Sequence, residues 1–208
     1  MSDLKQTGKK KGNLCDRILE TARALFNERG YNEVSMRNIA DTLKISVGNL
    51  TYHFKRKEDL VEAVIKAQHS EYRVPDVPRT LEELDACFKR VLLHQEKNCY
   101  YSRHYRQLAQ ISHKIYEIQK RVLQDLRDLV TGAFVNLIQA GLMNADEVPG
   151  QSSNTIQAIL TICAYGTALD ETTPISCIWS LIHPLLTDDG KKQSPFPGQP
   201  ANMERIVC

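Results

Sequence analysis

Apolar residues recur at helical spacing along most of the chain. Leu14, Ile18, Leu19, Ala22, Leu25 and Phe26 fall three and four apart, on one face of a helix. Gly30 ends that run as a C-terminal glycine does. Ser35 opens a second, short helix with Ile39, Ala40 and Leu43 turned inward. Lys44-Ile45 form a tight connection, and Ser46 is the N-cap of a third helix from Val47 to Phe54. A fourth starts at Lys57, carries Leu60, Val61, Val64 and Ile65, and runs to about Tyr72. Pro75 and Pro78 then interrupt the pattern.

The second part of the chain repeats this logic on longer elements. Thr80-Leu81-Glu82-Glu83 has the form of a capping box, opening a helix to about Asn98 with Leu81, Leu84, Phe88, Val91 and Leu92 inward. A shorter segment spans Ser102 to Gln110. The longest helix runs from Ser112 to Ala140 on a stripe of Ile115, Ile118, Val122, Leu126, Leu129, Ala133, Phe134 and Leu137. Gly141 stops it, and Gly132 inside it marks a close packing point or a kink. Asn154–Leu169 is apolar nearly all round, and Pro174–Leu186 follows with proline at its first turn. A helix without a polar face needs partners on two sides. This pair is therefore expected to supply a subunit interface through Ile159, Cys163, Ile178, Trp179 and Ile182.

The expected fold is all-α, in five parts. They are a basic disordered arm (1–12), a helix-turn-helix domain (13–56), a connecting helix (57–74), a second helical domain with the expected dimer interface (75–187), for which the resemblance described below implies a regulatory role, and a proline-containing tail (188–208). No run of about eighteen apolar residues is present, so no membrane span is expected, and no secretory signal follows Lys9-Lys10-Lys11. A cytoplasmic location is the expectation. The six cysteines are scattered without a C-x-x-C pair, which fits free thiols in a reduced compartment. The net charge of +2 hides an asymmetry. Residues 1–73 carry 14 Lys and Arg against 10 Asp and Glu, and the remainder carries 13 against 15. The excess lies where a phosphate-binding domain would need it.

Two short helices joined by a tight turn, behind an amphipathic helix, have helix-turn-helix geometry. A short helix reads the major groove only if others hold it there. Ile39, Ala40, Leu43, Ile45, Leu50 and Phe54 are the small core expected to do so, leaving Val47, Gly48, Asn49, Thr51, Tyr52 and His53 outside. The stretch Ile18–Leu60, ILETARALFNERGYNEVSMRNIADTLKISVGNLTYHFKRKEDL, closely resembles the DNA-binding domain of the TetR family of transcriptional regulators. Phe26, Gly30-Tyr31, Ile39-Ala40, Gly48, Leu50, Tyr52-His53-Phe54 and Lys57-Glu58 match its pattern in order and spacing. The resemblance covers about the first third of the chain.

The resemblance implies DNA contacts from Ser35, Arg37, Ser46, Val47, Gly48, Asn49, Thr51, Tyr52, His53 and Lys57. Asn49 would read a base edge, Tyr52, His53 and Lys57 would brace phosphates, and Arg37 would reach phosphate or guanine. Thr51 stands where many members carry tyrosine, so a phosphate contact there loses reach. Val47 is apolar where a polar residue is common. The resemblance also implies a homodimeric repressor released from a palindromic operator by a small molecule bound after residue 80. There the segment with Tyr100, Tyr101, Arg103, His104, Tyr105 and His113 has the residue types to line a pocket, though an amphipathic surface helix has them too. His94, Cys99, His104 and His113 fit no zinc spacing, so no metal is expected, nor any cofactor. An architectural or cell-division DNA-binding protein on the same fold is the alternative. An enzyme is the remote one, since no catalytic motif is present.

Overall fold

A computed structural model describes residues 13–73, 75–165 and 174–196. The expected basic arm, the end of the tail and residues 166–169 of the expected apolar helix lie outside the described residues. All regular elements among the described residues are helices, apart from one isolated bridge between Met143 and Leu186. The chain divides into two compact units at residues 70/71.

The first unit is built from α1 (Leu14–Arg29), α2 (Met36–Leu43), α3 (Val47–His53) and most of α4 (Lys57–Glu71). Ile18, Ala22, Leu25, Phe26, Val34, Ile39, Ala40, Leu50, Leu60 and Val61 are buried. Asn13 caps α1 by accepting from the Asp16 N–H at 2.9 Å. Gly30 takes a φ of 81° and its N–H closes on the Phe26 carbonyl, which ends α1 where glycine was expected. Tyr31 then packs its ring at 5.6 Å from Phe26. At the start of α4, the Arg56 N–H donates to Asp59 Oδ2 at 3.1 Å.

The second unit contains α5 (Leu81–Glu96), α6 (Cys99–Arg103), α7 (Tyr105–Ile111), α8 (His113–Gln139), α9 (Gln151–Tyr165), α10 (Pro174–Ile182) and α11 (Asp188–Gln193). Thr80 caps α5 through the Glu83 N–H at 3.1 Å. The return arm of the expected capping box is shifted: Glu83 Oε2 accepts from Arg79, not from Thr80. Gly132 is a close packing point, since a Cβ there would lie 2.7 Å from Val77 Cγ1. Asn136 donates to the Pro78 carbonyl at 3.0 Å one turn further on, so residues 77 and 78 lie directly against α8.

Two expectations for this unit change. The tail does not start at 188, because Asp188–Gln193 forms α11. Thr187 caps it, donates to the Gly141 carbonyl at 2.8 Å, and its N–H reaches the Leu142 carbonyl. Gly190 packs so closely on Leu142 that no side chain fits. Charge-rich DDGKKQ carries no apolar period, and its order comes from this docking.

The five side chains expected at a subunit interface lie inside the protomer. Ile159, Cys163, Ile178, Trp179 and Ile182 belong to one buried cluster with Leu84, Phe88, Val130, Phe134 and Leu137. The apolar helix finds its two partners within its own unit, on α8 and α10, and α10 packs in turn on α5. Half-buried Ala158 and Ile162 on α9, and Ile175, Cys177 and Leu181 on α10, are the apolar side chains left nearer the surface.

Candidate nucleic-acid interface

The turn between α2 and α3 fixes the geometry of the first unit. Lys44 adopts the left-handed conformation, with φ 57° and ψ 43°. Its N–H bonds the Asp41 carbonyl at 3.1 Å, and the Ile45 N–H bonds the Ala40 carbonyl at 3.0 Å. This is a Schellman closure, in which the last carbonyls of α2 are satisfied by the residues that turn away from it. Glycine normally takes that position, so the lysine carries a backbone cost of roughly 1–2 kcal/mol.

Each short helix is capped by a serine. Ser35 Oγ accepts from the Asn38 N–H at 3.1 Å and donates to Asn38 Oδ1 at 2.6 Å. Asn38 Oδ1 also accepts from the Ser35 N–H at 2.8 Å, which completes a capping box. Ser46 Oγ accepts from the Asn49 N–H at 3.1 Å. Caps of this kind are worth about 1 kcal/mol each, a large share of what a seven-residue helix needs.

Leu50 is fully buried and anchors α3 from below. Ile45 and Phe54 are half-buried at its ends, as is Leu43 at the end of α2. Val47, Gly48, Asn49, Tyr52 and His53 are exposed. Tyr52 is 84% exposed, far beyond what a packing tyrosine shows, and its ring meets His53 edge-on at 5.4 Å. Gly48 stands in open space, with only Ser46 Oγ at 3.8 Å from the place its Cβ would occupy. Nothing in the protomer requires a glycine there.

The remaining expected residues differ in how free they are. Arg37 is exposed, with its guanidinium 4.0 Å from Asp41. The Thr51 hydroxyl donates back to the Gly48 carbonyl at 3.1 Å, so its donor is occupied within α3. Lys57 is half-buried at the start of α4. Its ammonium lies 4.0 Å above the Tyr31 ring and donates to the Asn32 carbonyl at 3.4 Å. Burial lowers its pKa from the usual lysine value. The same environment pushes the Tyr31 phenol up to about 12, by desolvation first and the nearby Glu58 charge second.

Sequence reasoning passed over two features. Lys55 and Arg56 are exposed beside Lys57 at the α3–α4 turn, with the Arg56 guanidinium 3.2 Å from Asp59. Tyr31 was part of the matched pattern without a role, and it is the platform that holds Lys57.

The segment expected to line a pocket divides in the second unit. Tyr100 and Tyr101 are buried and Tyr105 is half-buried. Their rings form an edge-to-face series with Tyr165, at 6.4, 5.5 and 5.5 Å between successive centroids. His104 is half-buried and pairs through Nδ1 with Gln107 at 3.1 Å. Arg103 and His113 are exposed and stand outside this group. The five described cysteines are free, and burial pushes the Cys87 and Cys163 thiols up to about 11 and about 12.

A capped two-helix reader with an exposed aromatic-polar face and a basic shoulder defines a helix-turn-helix DNA-binding domain. Residues 18–64, which hold the helix-turn-helix, match the family described as bacterial regulatory proteins, tetR family. The chain is 39% identical over 61 residues to the transcriptional regulator QacR of Staphylococcus aureus, covering 29% of this chain and 32% of QacR. It is 41% identical over 51 residues to the transcriptional repressor KstR2 of Mycolicibacterium smegmatis, covering 24% of this chain and 25% of that protein. The matches thus span about a third or less of these curated relatives. A solved TetR-family regulator from Marinobacter aquaeolei has the same fold, with a TM-score of 0.76 and 20% identity over 88% of this chain and all of the other.

Proposed function

We propose that this protein is a cytoplasmic, homodimeric transcriptional repressor that binds a palindromic DNA operator through α3 and is released by a small molecule held in the second unit. The observation that carries the reading is the outer face of α3. It sets an 84% exposed Tyr52 beside Asn49 and a glycine that nothing in the protomer explains. An exposed aromatic and a bare backbone on a rigid, doubly capped turn are suited to close contact with another surface. The basic shoulder Lys55-Arg56-Lys57 makes that surface a polyanion.

Within this reading Asn49 takes a base edge, adenine being the geometric match for its amide. Val47 packs on a thymine methyl. Tyr52, His53 and Ser46 hold phosphates, and Arg37 leaves Asp41 for the backbone. Ser35 acts through its cap, since its hydroxyl already donates to Asn38. Lys57 donates to phosphate from its seat on Tyr31. The homodimer would place two such faces about 34–36 Å apart, one turn of the duplex. A molecule that favours any other spacing would release DNA in proportion to its preference for that state.

The relatives named above are transcriptional regulators, which favours regulation over enzymatic chemistry. No helix among the described residues is long and apolar enough to cross a membrane.

Selection from random duplex DNA tests the reading directly. Wild-type protein is expected to enrich a near-palindrome, with an affinity that falls steeply as salt rises. The Asn49→Ala/Tyr52→Ala double variant alters only exposed side chains and is expected to lose the enrichment while melting at the wild-type temperature. Equal enrichment by both proteins, or none by wild type, would remove α3 as the reader.

A further inference from the structure

The junction between α5 and α6 buries oxygen atoms that have no partner. Asn98 Oδ1, Ser102 Oγ and Gln95 Oε1 are all in this condition. Asn98 is 2% exposed and Ser102 4%. The orientation of the Asn98 amide is fixed, because its Nδ2 donates to the His94 carbonyl at 2.8 Å. What remains is an acceptor. Native interiors satisfy nearly all such groups, so a cluster of them calls for an explanation.

Asn98 and Ser102 are close for a local reason. Asn98, with φ −132° and ψ 44°, breaks the helix between α5 and α6 and is the residue before the first turn of α6. Ser102 lies four residues on, about one turn along α6. The rings of Tyr101, Tyr105 and Tyr165 follow in edge-to-face contact, which reaches α9. From α8, buried Gln119 donates to the Tyr105 carbonyl at 3.0 Å.

The fully buried side chains of this region are polar without a formal charge, and two half-buried imidazoles, His94 and His104, adjoin them. The buried polar residues of the second unit, among those described, are Asp85, Asn98, Ser102 and Gln119. Asp85 is committed to Trp179 and Lys89. Glu96, Lys97 and Arg103 are exposed. Burial pushes the Tyr105 phenol up to about 12 and Tyr101 further in the same direction, so both stay neutral at physiological pH. A charged guest would find no buried counter-charge. A flat one would find tyrosine rings, and a hydrogen-bond donor would find waiting oxygens.

We infer that Asn98 and Ser102 are the recognition point for the effector, and that the effector is an uncharged aromatic molecule presenting hydroxyl or amine donors to them. The inference deepens the regulator reading and rests on it. Gln95 Oε1 is a further unpartnered acceptor one turn before Asn98, and the tyrosine series supplies the apolar surface. His94, whose carbonyl holds Asn98, packs its ring 5.1 Å from Tyr72, the residue that follows α4.

The test uses the full chain and four fluorescent probes of one shape: β-naphthol, its methyl ether, β-naphthalenesulfonate and N-methylquinolinium. β-Naphthol is expected to bind at least about tenfold more tightly than the ether, which cannot donate, and than either ion. Ser102→Ala is expected to remove about tenfold of the naphthol affinity, leave the ether unchanged, and leave the free protein as stable or more so. Asn98→Leu is expected to do the same to naphthol with a larger loss. Equal binding of naphthol and ether, tightest binding of an ion, no binding of β-naphthol, or unchanged naphthol affinity in Ser102→Ala would overturn the inference. So would a lower melting temperature for Ser102→Ala, which would mean that buried water already satisfies the hydroxyl. DNA selection runs alongside. Selected operators with failed probes would remove the effector assignment alone, whereas no selected DNA would remove the regulator reading itself.

Discussion

Gly48 and Lys44 are the two residues of the reader where the chain departs from its own stability optimum. In a seven-residue helix, a glycine costs roughly 1 kcal/mol relative to alanine. Its Cβ position is open, so Gly48→Ala meets no obstacle in the free protein. That substitution is expected to raise the melting temperature of the first unit by an amount equivalent to about 0.5–1 kcal/mol. In the same variant, affinity for a selected operator is expected to fall, because the new methyl group would occupy the space through which the proposed operator contacts α3. Calorimetry and a binding titration on one preparation check both halves. Weaker DNA binding together with lower stability would point to a folding defect instead. Lys44 poses the opposite case. Its left-handed backbone was invisible in the sequence, which marks a tight turn by position but gives no glycine signal there.

At the scale of elements, the second unit is tied by a polar contact inside its apolar core. Trp179 Nε1 on α10 donates to Asp85 Oδ1 on α5 at 2.9 Å, and Lys89 reaches Oδ2 of the same carboxylate at 2.6 Å. Trp179→Phe keeps most of the ring volume and removes the donor. It is expected to cost about 1–3 kcal/mol in urea unfolding, because a buried carboxylate loses one of its partners. Adding Asp85→Leu is expected to recover part of that loss, and the double-mutant cycle gives the coupling. Additive losses would show that the pair contributes no coupling of its own. Helix periods made most of these elements legible: α5, α8 and α9 begin within a few residues of their expected starts, at Leu81, His113 and Gln151. The segment expected over Ser102–Gln110 joins the end of α6 to α7 and leaves out Cys99–Tyr101, since the break at His104 carries no proline or glycine. α11 was missed because its only signal is a threonine cap and a buried glycine.

For the whole molecule, the buried acids set the response to alkali. Cys87, Tyr31, Tyr72, Tyr105 and Cys163 all have pKa values raised by burial, to between about 11 and about 12. Each ionises in the unfolded chain near its ordinary value of 9.0 or 10.0 while the folded chain keeps the proton. The folded state then binds more protons, so stability is full below about pH 9 and falls as pH rises towards 12. Thermal unfolding from pH 8 to pH 11 is expected to show a progressive drop, made shallower by Tyr72→Phe. A flat profile would mean that these groups are less desolvated than their burial implies. The proposed homodimer is also tested at this scale. With the core face of α10 occupied, a second copy would meet the half-buried Ile162, Ile175, Cys177 and Leu181. Leu181→Glu is expected to give a folded monomer by sedimentation. A dimer that survives it would place the interface elsewhere.

The sequence by itself determined the all-helical class, the helix-turn-helix and the face it presents. Those features depend on local spacing, on serine caps and on a motif whose residues are close in the chain. Side-chain periodicity and capping are short-range physics, so they can be read without coordinates. Only the tertiary structure decided which partner covers each apolar face. The residues expected to meet a second subunit turned inward because α9 and α10 pack on each other and α5 and α8, from earlier in the chain, cover them within one protomer. The same holds for the Tyr31 seat of Lys57 and for the unpartnered oxygens of Asn98 and Ser102. Whether a polar atom is buried, and whether anything answers it, depends on groups brought from elsewhere in the chain, and no local pattern encodes that.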